Sequence, residues 1–231
     1  MIRIALGMLI TLFLFSCGEK KETSTKEKEK VTNRSFFYTY DTIPKIYQYR
    51  EVVNGMYEQF HRVYGVSRGD GKHIILERFT EDGRLTETYD FVLDSLSVFD
   101  HMEVNVKGDL ERAFVYHNRL FPLDNNETHF ATKFSGILDV NVLLYESFRK
   151  FNSFTKREVL SKSLECMKLN ERIRVTNINT DSKMQNESLN DIVIYFGKSI
   201  GLVEWHDKDY QQHFVLEKII SQDEWFKLIS G

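Results

Sequence analysis

The 231-residue chain is 42% hydrophobic, enough to bury one sizeable core. Its net charge of −3, from 31 Lys and Arg against 34 Asp and Glu, gives no basic field for phosphate backbones, so nucleic acid is excluded as a partner. Aromatic content of 13%, with 18 Phe and 11 Tyr but only 2 Pro and 12 Gly, favours pleated, half-buried strands and tilts the chain toward an all-β class.

The chain opens with a basic Arg3 and an apolar run from Ile4 to Phe15, then switches abruptly to Lys and Glu. A charged start, an apolar centre and small residues before a cut describe a secretory signal. The run is shorter than the roughly 20 residues that a membrane-crossing helix needs. At the cut stands Leu14-Phe15-Ser16-Cys17. This tetrapeptide resembles the lipobox of bacterial outer-membrane lipoproteins, which are cleaved before the Cys and lipidated on it. The resemblance covers about the first 22 residues. It implies a signal peptide over residues 1–16, lipidation of Cys17, and a membrane partner engaged through the N-terminal lipid anchor. Gly18 stands where an Asp would mark inner-membrane retention, so the implied location is the outer membrane, at its periplasmic face or at the cell surface.

From Gly18 to Thr32 almost nothing apolar occurs, and a segment that cannot offset its ordering entropy is expected to be a solvated tether, here residues 17–35. Its Glu19-Lys20-Lys21-Glu22 resembles the acidic and lysine residues that assist surface export of some lipoproteins; a plain spacer is the alternative. A single β domain is expected over residues 36–231.

Strand signals then follow at short spacing. Tyr47 to Val53 and Met56 to Tyr64 flank Asn54-Gly55, a dipeptide that tolerates the positive φ of a type I′ hairpin turn. Asp82-Gly83 separates Ile74–Phe79 from Leu85–Phe91, and Gly69-Asp70-Gly71, Asp94-Ser95 and Lys107-Gly108-Asp109 read as further turns. Strands joined by short polar turns predict a curved antiparallel meander or half-barrel with few short helices. Alternation continues from Val98 to Val106 and from Leu110 to Tyr116, then breaks at Pro122 and Asp124-Asn125-Asn126. Val140 to Phe151 fits either a helical face or a bent strand, and its strand neighbours favour the strand. Leu164–Leu169 and Ile173–Val175 have strand character, whereas the polar stretch Asn177 to Asn190 reads as a long turn. A closing hairpin is expected from Ile192–Phe196 and Ile200–Trp205, followed by a strand over Phe214–Ile220. Ser221-Gln222-Asp223-Glu224 has the form of a capping box and predicts a short helix or docked tail. The order from Leu164 to Trp205 resembles the carboxy-terminal strands of outer-membrane lipoproteins with a curved antiparallel sheet like that of the lipoprotein carriers, which implies architecture and no activity.

Motifs with chemical content are few. Gly65-Val66-Ser67-Arg68-Gly69 matches the serine-hydrolase elbow, but that device needs a helix immediately after the Ser, and a β-rich stretch follows instead. Arg68-Gly69-Asp70 spells an adhesion tripeptide and is better explained as a turn. The 7 histidines show no metal-ligand spacing; His206 and His213, flanking Asp207-Lys208-Asp209, are the nearest candidates. Cys166 lies between Leu164 and Met167 and suits a buried small hydrophobe. No catalytic residue, metal ligand or cofactor is assigned, and Cys17 is the one site residue.

The expected function is a lipid-anchored, non-catalytic binding or envelope-assembly module of the cell envelope. Its partner is an apolar small molecule held in a sheet cleft, or an envelope protein. The competing class is an envelope hydrolase using Ser67, or a metal-site enzyme at His206 and His213. Ile192, Ile194 and Phe196 share one strand face, with Val193 and Tyr195 on the other, so both faces need cover. The Trp225-Phe226 tail is the expected cover for part of that hairpin.

Overall fold

The computed structural model describes residues 32–105, 107–136 and 140–230; the signal run, Cys17 and the expected tether up to residue 31 lie outside the described residues. The strands are β1 (Lys45–Glu51), β2 (Glu58–Arg68), β3 (Gly71–Thr80), β4 (Leu85–Val92), β5 (Val98–Val104), β6 (Leu110–Arg112) and β7 (Phe114–Asn118). They continue with β8 (Thr128–Ser135), β9 (Asn141–Val159), β10 (Lys162–Asn179), β11 (Gln185–Gly197), β12 (Gly201–Asp207) and β13 (His213–Ser221), and helix α1 (Gln222–Ile229) ends the fold. All belong to one antiparallel sheet in the order β6-β5-β4-β3-β2-β1-β13-β12-β11-β10-β9-β8-β7. The all-β class is thus as expected. The sheet curls into a nearly closed barrel because its two outermost strands are consecutive in the chain, with only Ala113 between them. One stretch, 110–118, therefore pairs with β5 by its first half and β8 by its second, and Ala113 donates its N–H to the His101 carbonyl at 2.9 Å. This arrangement shortens the free sheet edges to three and five residues, which limits the edge surface that invites aggregation.

Alternation sends Tyr49, Val63, Leu76, Tyr89, Phe130, Leu169 and Ile194 to the interior, where they form the main core. The end of the expected tether also reaches it. Asn33–Phe36 form a 3-10 turn capped by Thr32; Asn33 and Phe36 are buried, and the Asn33 N–H donates to the Leu123 carbonyl at 2.8 Å. Ordered structure so begins before residue 36. Phe37 meets the rings of Phe91 and Phe121 edge-on at 5.1 and 4.9 Å, so this segment and the β7–β8 loop together fill part of the barrel.

Three local expectations need correction. The β1–β2 hairpin forms, but its loop spans residues 52–57, and only Gly55 has a positive φ, +66°. Instead of a type I′ turn, the buried Glu51 carboxylate gathers the loop by accepting from the N–H groups of Val53, Asn54 and Gly55 at 2.7–2.9 Å. The stretch Asn177–Asn190 is mostly strand: β10 and β11 pair in unbroken register from Cys166↔Gly197 to Ile178↔Gln185, leaving a turn at residues 180–184. Its side chains are polar because this outer part of the hairpin has solvent on both faces, and a strand without a buried face shows no alternation. Val140–Phe151 is strand, as favoured, but β9 runs on to Val159.

The tail is the third. Helix α1 has the expected capping box, the Ser221 side chain accepting from Glu224 N–H while the Glu224 carboxylate accepts from Ser221 N–H at 2.8 Å. It docks on the outer face of β1–β3, not on the β11–β12 hairpin: Trp225 packs with Ile46, Phe60 and Phe79. The cause is topological, since β13 leaves the sheet beside β1. Gly83, at φ +74°, is where the helix meets the β3–β4 turn; a Cβ there would come within 2.8 Å of Ile229 Cδ1.

Candidate functional site in the barrel interior

Register places one row of polar side chains across the inner wall. Tyr47 pairs with His61, His61 with Arg78, Arg78 with Glu87, Glu87 with Glu103 and Glu103 with Glu111, crossing six strands from β1 to β6. In-register partners point to the same face, so these groups are neighbours although they are up to 64 residues apart. Arg78 Nη1 donates to Glu87 Oε1. His101, on the adjacent inward position of β5, lies between Glu87 Oε2 at 3.5 Å and Glu103 Oε1 at 3.2 Å. Its Nδ1 sits 3.3 Å from Thr132 Oγ1 on β8, and its ring stacks on Tyr89 at 4.4 Å.

These contacts set the charges. Burial raises the Glu87 pKa, but Arg78 and His101 outweigh it and hold the carboxyl well below its ordinary value. Burial lowers that of His101, whereas Glu103 and Glu87 push it up, and they win. Glu103 is raised, by burial first and then by the like charge of Glu87, against the pull of His101.

Beside this row is a cavity of about 210 Å³. Its apolar wall includes Phe91, Leu120, Ile173, Ile194 and Phe196, and its polar wall includes Gln59, His61, Arg78, Arg149 and Glu171. Arg149 and Glu171 are buried partners: Arg149 Nε donates to Glu171 Oε1 at 3.0 Å and its Nη1 to the Leu120 carbonyl at 3.2 Å. His61 is different. It is 1% exposed, stacked near Trp205 and tilted against Tyr49 at 4.5 Å, and neither ring nitrogen has a hydrogen-bond partner. Burial, reinforced by Arg78, drives its pKa well below the ordinary histidine value, so the ring is neutral. A neutral imidazole offers one donor and one acceptor. Leaving both unmet in the interior is costly unless something in the cavity meets them.

The residues singled out in the sequence lie elsewhere. Ser67 is on β2 outside this cavity, its hydroxyl 3.0 Å from Tyr40 Oη, and the strand runs into the Gly69-Asp70 turn without a helix. His206 and His213 pair directly across β12–β13, as expected of residues facing each other over a hairpin. They do not form a convergent ligand set: His206 Nδ1 is 2.7 Å from its neighbour's carbonyl at Asp207, and His213 Nε2 is 3.0 Å from Glu204, which also binds Arg157. Cys166 is a buried free thiol. The interior polar row escaped sequence reading because its members come from separate strands; the visible trace is His101-x-Glu103, two inward positions of one strand opposite Glu87-x-Tyr89.

No family model matches the chain, and no curated protein matches it. Among solved structures, a protein of Parabacteroides distasonis provisionally termed a lipoprotein is 13% identical at a TM-score of 0.48, with 80% of this chain and 98% of that chain covered. An exported-protein candidate of Bacteroides fragilis with a YmcC-like fold is 12% identical at a TM-score of 0.42, with coverage of 80% and 99%. Likeness at these values is too distant to assign a family, a ligand or a residue's role.

Proposed function

We propose that the chain is a lipid-anchored protein of the bacterial outer membrane that acts as a non-catalytic binding module and holds a compact amphipathic molecule in its barrel. The anchor reading rests on Leu14-Phe15-Ser16-Cys17 behind a short apolar run. The binding reading rests on one observation: a cavity of about 210 Å³ lined by a fully buried His61, neither of whose ring nitrogens has a hydrogen-bond partner. An apolar cavity of roughly 150 Å³ takes a benzene-sized molecule, so this one suits something slightly larger. Its apolar body would lie against Phe91, Leu120, Ile194 and Phe196, with one neutral or anionic polar group on His61 near Arg78. The expected cleft was wholly apolar; the mixed lining narrows the ligand to one carrying a polar head.

Two experiments test the reading. Cys17→Ala is expected to release the chain from the membrane fraction, and mass spectrometry of the mature N-terminus to find a lipidated Cys17 in the wild type; cleavage elsewhere with an unmodified Cys17 overturns the anchor. For the cavity, the full chain is titrated by calorimetry with benzoate, which has one ring and one anionic head. Saturable one-to-one binding is expected, and Ile192→Trp, at a half-buried lining position that can accept bulk, abolishes it. Equal binding by the variant, or none by the wild type, removes the cavity as the site.

A further inference from the structure

We propose that Glu87, His101 and Glu103 form a binding site for a divalent transition ion of the zinc class at the rim of the barrel, independent of the ligand proposed for the cavity. Among the described residues, these three are the grouping whose ligand atoms converge, all lying within 4.8 Å of one another.

The first ground is the direction of His101 Nε2. The ring is 1% exposed, and Nε2 makes no hydrogen bond, although two carboxylate oxygens lie 3.2 and 3.5 Å away. Atoms that bind one ion, rather than each other, are arranged in this way: ligands at about 2.0–2.1 Å from a tetrahedral zinc are spaced about 3.3 Å apart. The separations from His101 Nε2 to the two carboxylate oxygens bracket that spacing, and all three ligand atoms lie within 4.8 Å of one another.

The second ground is the cross-strand pairing. Glu87 stands directly opposite Glu103, and Glu103 opposite Glu111. Like charges directly opposite each other destabilise a sheet. Arg78 takes Glu87 Oε1 and leaves Oε2 facing His101, while Asn105 Nδ2 donates to Glu111 at 2.6 Å, so Glu87 and Glu103 are left sharing His101 as the one group between them.

The third ground is the surrounding shell. Histidine ligands are oriented through their other ring nitrogen, and carboxylate ligands through their second oxygen. Thr132 holds Nδ1 of His101 and Arg78 holds Oε1 of Glu87. Glu103 also lines a surface recess of about 90 Å³ with Glu111, Asn105 and Phe134, which gives an ion a path from solvent. One nitrogen and two oxygens form a borderline donor set that suits zinc and its neighbours, whereas calcium needs six to eight oxygens.

The test uses the full chain carrying Cys17→Ser, so that the buried Cys166 is the one thiol left. After chelator treatment, Zn²⁺ is titrated by calorimetry, and Co²⁺ is added as a spectroscopic substitute. One ion per chain is expected, with the visible absorption of low-coordinate Co²⁺ and a rise in melting temperature. Glu103→Gln and His101→Gln should each weaken binding at least about tenfold, the lower bound even for an outer-shell change, and Thr132→Val by about tenfold. Circular dichroism identifies any variant that has not folded, and Glu103→Gln, at a partly exposed position, keeps the test valid if His101→Gln fails to fold. His206→Gln should bind as the wild type does. No stoichiometric uptake by the folded wild type, uptake unchanged in Glu103→Gln, or loss in His206→Gln would each overturn the site.

Discussion

Trp225→Ala should destabilise the barrel by about 2–4 kcal/mol without touching the interior cavity. Trp225 is 2% exposed and packs on Phe79 and Phe60 at ring distances of 4.8 and 6.2 Å. A buried aromatic side chain removes roughly 150–250 Å² from water, which at about 25 cal/mol per Å² is about 4–6 kcal/mol. A compact unfolded chain lowers that by roughly 10–40%. Its indole Nε1 is buried without an acceptor, so truncation also removes a penalty of about 1–3 kcal/mol, while the cavity left behind adds some cost back. Trp225→Phe keeps most of the contact and drops the orphaned N–H, so it should lie within about 1 kcal/mol of the wild type. Phe226→Ala, at a 43% exposed position, should cost less than about 1 kcal/mol. Urea unfolding measures all three, and benzoate binding by the cavity should be unaltered. A loss below about 1 kcal/mol for Trp225→Ala, or one matched by Phe226→Ala, would refute docking on β1–β3.

Stability should fall as pH drops below about 6.5, the ordinary histidine value, because the unfolded chain then takes up a proton that folded His61 refuses. The slope from this one group is up to about 1.4 kcal/mol per pH unit, with Arg78 lowering and Glu87 raising the folded value; His61→Phe should flatten the curve, and unfolding series at pH 7.5 and 5.5 check it. Arg149→Met should cost about 3–5 kcal/mol by stranding the buried Glu171, and adding Glu171→Leu should recover much of the loss; a double-mutant cycle with no coupling counts against the pair. Cys166, whose thiol burial pushes up to about 11, should react with iodoacetamide only on unfolding, so rapid native labelling would show that its wall opens.

The meander was legible because its determinants are local. Asp82-Gly83, Gly69-Asp70-Gly71 and the capping box at Ser221 each act within a few residues, and the structure puts a turn or helix start at each. What stayed hidden was set at long range. Nothing near Asn177–Asn190 encodes a strand; its polar residues pair because β10 and β11 are already aligned by the apolar pairs Leu169↔Ile194 and Met167↔Phe196 lower in the same hairpin. Closure was equally hidden, since it depends on Ala113 being the hinge between two three-to-five-residue strands with different partners.

The candidate sites escaped for a related reason. Seven histidines without short spacing look scattered in a linear chain, yet a curled antiparallel sheet converts hairpin register into adjacency. A one-residue slip of β4 against β5 would turn Glu87 away from Glu103 and place it on the outer surface. The bulges between Asp90 and Phe91 and between Arg78 and Phe79 bound the stretch in which Arg78, Glu87 and Glu103 remain aligned. Plain alternation along β3, in unbroken register with β2, turns Phe79 outward to meet Trp225 while Arg78 faces the cavity. Pinning of register by bulges explains how a barrel can keep ionised groups in its interior without losing a single defined pairing.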